Sequence, residues 1–213
     1  MKHVKLIPEN TPDLWSMESG DTVTLTTQDM ILIAMFTSLM AVGAFIRIET
    51  PLVPITLQFA FAAYAGVILG AKKGTLALAL YVVIGLMGFP VFTRGGGPFY
   101  VLEPTFGYLM GMVVAAFVTG KLAGSIEYLK PRLLLIRLTI AVTIGLMIVY
   151  ATGMFYLHFI MNTVMETPMD IRAAFVAGVL PFAVADIIMG AIVVVSATKI
   201  MPVLKENRLM RRH

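Results

Sequence analysis

One carboxylate lies where carboxylates are rare. Asp186 sits in Leu180-Pro181-Phe182-Ala183-Val184-Ala185-Asp186-Ile187-Ile188-Met189-Gly190, with apolar residues on both sides. Inside a membrane span such a group costs about 3 kcal/mol, so it marks a site or a buried pair. The plainer alternative is that Asp186 caps a helix restarting after Pro181. A second feature is the segment 90–104, which carries Gly95-Gly96-Gly97 between Arg94 and Pro98. Glycines allow positive φ and close approach to a ligand, with no Cβ in the way. No Gly-Lys-Ser or Gly-Lys-Thr follows them, so the segment is not a phosphate cradle. Arg94 is its one cation, able to grip a carboxylate with two parallel hydrogen bonds or to pair with Glu103. Gln58, Tyr81, Tyr108, Tyr150, Tyr156 and His158 add hydrogen-bonding side chains within apolar stretches.

Other chemistries find no support. There are no cysteines, which removes thiolate nucleophiles and thiolate metal sites. An intramembrane enzyme using Asp186 with His158 or Glu166 would need a constellation such as paired carboxylates, His-Glu-x-x-His or Ser-Lys, and none is present.

The elements that must position these residues follow from composition. Hydrophobic residues make up 59% of the 213 and charged ones 13%, against roughly 45–50% and a quarter in soluble domains. Lipid must therefore be the solvent for most of the chain. Apolar spans fall at 28–46, 53–70, 74–90, 104–123, 133–160 and 172–200, each near or above the ~17 residues that cross a bilayer as a helix. The expected fold is an all-α integral membrane protein, a six-transmembrane-helix bundle. Residues 28–200 form its membrane domain, after a polar cytoplasmic segment 1–27 containing Trp15 and before a basic tail 201–213. The first span, beginning well into the chain and followed by others, does not read as a cleaved signal peptide.

The formal charge of +4 reflects topology. Lys2, Lys5, Lys72, Lys73, Lys121, Lys130, Arg132, Arg137, Lys199, Lys205, Arg208, Arg211 and Arg212 fall on one side, and Arg47, Arg94 and Arg172 on the other. This bias puts both termini in the cytoplasm of a multi-pass protein. The basic residues then meet lipid head groups, not nucleic acid. Asp186 lies fourteen residues beyond Arg172, about 21 Å of helix, past a kink expected at Pro181. That depth suits the floor of an outward-opening cavity. The loop between helices 3 and 4, at about fifteen residues, exceeds what a plain connector needs and is expected to cover a ligand.

Val53-Pro54-Ile55-Thr56-Leu57-Gln58, Gly88-Phe89-Pro90-Val91-Phe92, Gly95-Gly96-Gly97, Pro104-Thr105-Phe106-Gly107-Tyr108 and Pro181-Phe182 with Asp186 follow in order. Together they resemble the BioY family, biotin-binding S-components of energy-coupling factor (ECF) transporters. The resemblance covers nearly the whole chain after about residue 25. It implies a six-helix membrane protein of the prokaryotic cytoplasmic membrane, binding biotin in an outward-facing pocket roofed by loops. Partners would be a transmembrane coupling subunit and two ATPase subunits, since this chain has no Walker A motif. No cofactor and no enzymatic step is implied.

The coupling contact implied for helix 1 falls on Ala34, Ser38 and Ala41, with Thr37, a small-residue spacing that also serves internal packing. For biotin, Asp186 and nearby amides such as Gln58 would meet the ureido ring. Phe92, Tyr81, Tyr108 and Tyr150 would wall the thiophane ring, with Gly95 and Gly96 allowing close approach and Arg94 taking the carboxylate. The chain departs from the family in carrying Met189 three residues after Asp186, where a lysine is common. Glu103 and Phe106 likewise replace usual glycines. Another small carboxylated ligand, a biotin precursor or relative, is the alternative within the family. A non-transport structural subunit is the alternative outside it.

Overall fold

A computed structural model of the chain describes residues 25–50, 52–124 and 130–206, with side chains as far as Met201. Helix α1, Thr27–Phe45, opens on a capping box. The Asp29 N–H donates to Thr26 Oγ1 at 3.2 Å and the Thr26 N–H to Asp29 Oδ2 at 3.1 Å. Each bond satisfies a donor that a helix start leaves free. Asp29 also takes Lys73 Nζ at 2.5 Å, which ties this end of α1 to the third helix.

Past α1 the chain is not yet helical. Strand β1, Arg47–Ile48, pairs antiparallel with β2, Ile55–Thr56. The expected span beginning at 53 thus starts as a strand, and helix α2, Gln58–Tyr64, begins five residues later. Pro54 explains the delay: it lacks an N–H and cannot sit in a helix interior. A π-helical turn, Ala65–Leu69, follows α2 and leads into α3, Gly70–Leu86.

Among the described residues five helices are long and apolar enough to cross a membrane, with Gln58–Leu86 counted as a single run. Six were expected, and this run accounts for the difference. It is not straight. Gly70 has φ +81°, and a Cβ placed on Gly74 would lie 2.6 Å from the Ala65 carbonyl oxygen. Nine residues along one helix would be about 13 Å apart. The chain therefore folds back at Gly70, a turn that positive φ reserves largely for glycine.

Helix α4, Phe106–Ala123, is the most buried of these spans and packs between α3 and α5, Pro131–Thr163. Small residues set the approach. A Cβ at Gly111 would meet Thr152 Oγ1 at 2.1 Å, and one at Gly145 would meet Thr119 Oγ1 at 2.4 Å. Without a hydrophobic force between helices in lipid, such close packing holds the bundle. The remaining expected span, 172–200, is two helices: α6, Ile171–Gly178, and α7, Leu180–Glu206. The break falls at Val179, just before Pro181, whose ring and missing N–H disrupt the helical ladder one turn back.

Lys72, Lys73, Lys121, Arg132 and Arg137 gather at one end of the bundle. There the Asp29–Lys73 pair adjoins the Gly70 turn, a Cβ at Gly120 would meet Ala71 N at 2.4 Å, and Arg137 Nε donates to the Leu122 carbonyl at 2.7 Å. At the other end Arg47 and Arg94 sit together, each with a glutamate, on the loops that follow α1 and α3.

Candidate ligand site

Beneath those loops lies a cavity, open at its mouth, that with the mouth included spans about 540 Å³. Its polar floor is a single pair. The Tyr150 hydroxyl on α5 donates to Asp186 Oδ2 on α7 at 2.7 Å, and Asp186 is 8% exposed. Both α5 and the kinked α6–α7 segment are needed to bring them together. Phe59, Leu109, Met112, Val149 and Phe182 form apolar walls. Tyr108 also lines the cavity, its hydroxyl donating to the Gly178 carbonyl at 2.7 Å. That bond caps the broken end of α6, one of the carbonyls a helix end leaves without an intrahelical partner.

The roof comes from two loops. Val53, Pro54 and Thr56 belong to the β1–β2 hairpin; Thr93, Tyr100 and Thr105 belong to the segment between α3 and α4. Gln58, at the start of α2, lines the cavity and donates through Nε2 to the Tyr81 hydroxyl at 2.9 Å, which donates on to the Val91 carbonyl at 2.9 Å. Thus α2, α3 and the long loop are held by one chain of polar contacts.

Phe92 anchors that loop. It is 1% exposed, set edge-on to Tyr81 with centroids 5.3 Å apart and tilted against Tyr100 at 4.4 Å. The Phe92 ring occupies the space left by Gly85, where a Cβ would fall 2.0 Å from its Cζ. Tyr81 and Phe92 therefore stand behind the lining, supporting it. Gly95 and Gly97 have φ of +108° and +110°. Gly95 closes a tight turn by exchanging backbone hydrogen bonds with Phe92, and the Gly97 N–H donates to the Gly85 carbonyl at 2.8 Å. Gly96 packs on the Phe89 carbonyl, where a Cβ would lie 2.1 Å away. The glycines fold the loop onto the end of α3, and Gly95 and Gly96 do not line the cavity.

Arg94 does not line it either. Its guanidinium reaches Glu103 Oε2 at 3.4 Å and donates to the Leu52 carbonyl at 3.2 Å. Arg47 makes the reverse link, donating through Nη1 to the Thr93 carbonyl and pairing with Glu49 at 2.5 Å. Each roof loop thus holds the other by an arginine. Met189 packs against the core and is not part of the lining.

Of the residues marked out by sequence, Asp186, Tyr150, Tyr108 and Gln58 meet around one cavity. Ala34 and Ser38 are exposed on α1, and Ala41 is half-buried there. The Ser38 hydroxyl is satisfied within the helix by the Ala34 carbonyl at 2.9 Å. His158 bonds to Asn162, and Glu166 lies exposed on the loop after α5. Sequence reasoning did not single out Thr93, Thr105, Phe59, Met112, Val149 or Phe182 as lining. Thr105 and Phe182 stood inside the recognised motifs, and that was the available signal. Among the described residues no group of three His, Cys, Asp or Glu side chains is arranged to hold a metal.

Apolar helices enclosing a largely apolar cavity, with a carboxylate at its floor and loops across its mouth, define a multi-pass membrane protein that holds a small molecule. The BioY family model matches residues 17–206, and the chain belongs to the BioY family. A probable biotin transporter BioY of Lysinibacillus sphaericus is 38% identical over 185 residues, covering 87% of this chain and 92% of that protein. A biotin transporter BioY of Thermotoga maritima is 40% identical, covering 76% and 88%. The crystal structure of an S-component for biotin from an ECF-type ABC transporter superposes with a TM-score of 0.69 at 23% identity, covering 84% of this chain and 95% of that one.

Proposed function

We propose that this chain is the biotin-capturing subunit of an ATP-driven uptake system in a prokaryotic cytoplasmic membrane. It binds and releases its ligand without chemical change, and ATP is hydrolysed on two partner ATPases joined to it through a transmembrane coupling subunit. The observation that carries the reading is the Asp186–Tyr150 floor at the base of a loop-roofed cavity. Biotin's ureido ring presents two N–H donors, and among the described residues Asp186 Oδ1 makes no hydrogen bond to the protein. A carboxylate oxygen is the stronger acceptor for such a donor. The apolar walls suit the thiophane ring, and Gln58 and Tyr108 border it.

The two arms of the run that folds back at Gly70 are read as two membrane passages, giving six in all. The basic end of the bundle then faces the cytoplasm with both termini, and the cavity opens outward. Residues 28–200 form the membrane domain, while most of the polar segment 1–27 and of the basic tail 201–213 lies outside the described residues. The exposed face of α1 bearing Ala34 and Ser38, with Ala41 at its edge, meets the coupling subunit.

Thermal-shift measurement on detergent-purified protein with biotin, dethiobiotin, lipoate and pimelate tests the reading. A ligand that binds only the folded state raises the melting temperature. Biotin should give the largest rise. Silence toward biotin with a clear shift from a relative would assign the cavity to that relative instead.

A further inference from the structure

Three hydroxyls in the roof form a chain with one proton to spare. Thr93 Oγ1 lies 2.9 Å from the Tyr100 hydroxyl, which lies 2.9 Å from Thr105 Oγ1. All three residues are at most 6% exposed, and all three line the cavity. Each hydroxyl carries one donor hydrogen. Two hydrogens are consumed by the two bonds, whichever way the chain is directed, so one O–H remains. No protein group among the described residues accepts it. A buried donor without an acceptor is costly, and the space these hydroxyls face is the cavity.

The chain also has a cation behind it. Arg47 donates to the carbonyl of Thr93, the residue at one end of the trio. It is itself paired with Glu49 at 2.5 Å, so its part is to hold the Thr93 backbone in place. The trio is well separated from the floor. Gly111 packs on Val149 and Thr152, which puts Tyr150 at its level, and Thr105 lies six residues up α4, about 9 Å toward the mouth.

We propose that the Thr93–Tyr100–Thr105 hydroxyl chain, backed by Arg47, is the subsite for the ligand's carboxylate. This rests on the biotin reading above and assigns the end of the ligand opposite the ureido ring. The spare O–H donates to a carboxylate oxygen, and Arg47 fixes the Thr93 end of the chain through its carbonyl. Arg94, committed to Glu103 and Leu52, is not required for recognition of the acid.

The test compares biotin with biotin amide by calorimetry on the purified full chain, as wild type, Tyr100→Phe, Thr93→Val, Thr105→Val and Thr105→Ser. The wild type should prefer the acid. Tyr100→Phe and Thr105→Val should weaken biotin roughly ten- to a hundredfold, the range for a hydrogen bond to a charged group, and change the amide little. Thr105→Ser keeps the hydroxyl and should keep the preference. An acid-to-amide ratio unchanged in every variant that still binds overturns the assignment while leaving the biotin reading intact. Failure of the wild type to bind biotin at all overturns that reading and the assignment with it.

Discussion

The Tyr150 hydroxyl reaches Asp186 Oδ2 at 2.7 Å, across the gap between α5 and α7. That bond leaves the other carboxylate oxygen for a visitor. It also fixes which way the carboxylate faces, because Asp186 lies one and a half turns into α7, just past the Pro181 break. Removing the phenol oxygen separates these two roles.

Tyr150→Phe should lower the melting temperature of the ligand-free protein, by about 1–3 kcal/mol of stability for a buried acceptor left unmet. Biotin, bringing its own N–H donors, should recover a larger increment in the variant than in the wild type. Paired thermal melts with and without biotin check this. Equal melting of the two ligand-free proteins would show that the bond contributes nothing.

Arg94→Ala removes the link from the long loop to the Leu52 carbonyl. The contact with Glu103 is a surface pair worth little. Ligand should therefore leave faster, and by the same factor for acid and amide, in a chase experiment. A loss confined to the acid would return Arg94 to the carboxylate grip that sequence alone suggested.

Gly85→Ala places a Cβ 2.0 Å from Phe92 Cζ. The ring must move and carry Thr93 with it, so ligand affinity should fall along with about 1–3 kcal/mol of stability from overpacking. Calorimetry together with a melt tests both. Wild-type affinity would mean that the loop repacks without consequence for the cavity.

Ala34→Trp and Ser38→Trp put bulk on an exposed helix face remote from the cavity lining. Biotin binding by the purified variants should equal that of the wild type. ATP-driven uptake in cells co-expressing the coupling and ATPase subunits should be lost. Uptake at the wild-type level would assign the coupling contact elsewhere.

Much of this architecture is legible in the sequence because lipid imposes simple rules. Long apolar runs become helices, so α1, α4 and α5 fall within a few residues of their expected bounds. Asp186 stands out because an acid in such a run needs a reason. The β1–β2 hairpin was hidden because its strands are only two residues each, with Pro51 and Pro54 between them, too short to show an alternation. The glycines were legible as a special backbone but not as to purpose. Gly96 sits against the Phe89 carbonyl and Gly97 bonds to Gly85, contacts that local sequence cannot display. Tyr100 reads in sequence as apolar cover beside Phe99. Only the fold separates them, burying Tyr100 beside two threonines and leaving Phe99 83% exposed.

The central claim is that Asp186 binds the ligand's N–H groups, and the dissociation constant of biotin for Asp186→Asn, measured calorimetrically beside the wild type, tests it most directly. Asparagine keeps the shape and can still accept from Tyr150, but it lacks the charge that strengthens a bond to a donor. Affinity should drop roughly ten- to a hundredfold, equally for biotin and its amide, with the ligand-free melting temperature no lower than that of the wild type. An unchanged dissociation constant would contradict the account.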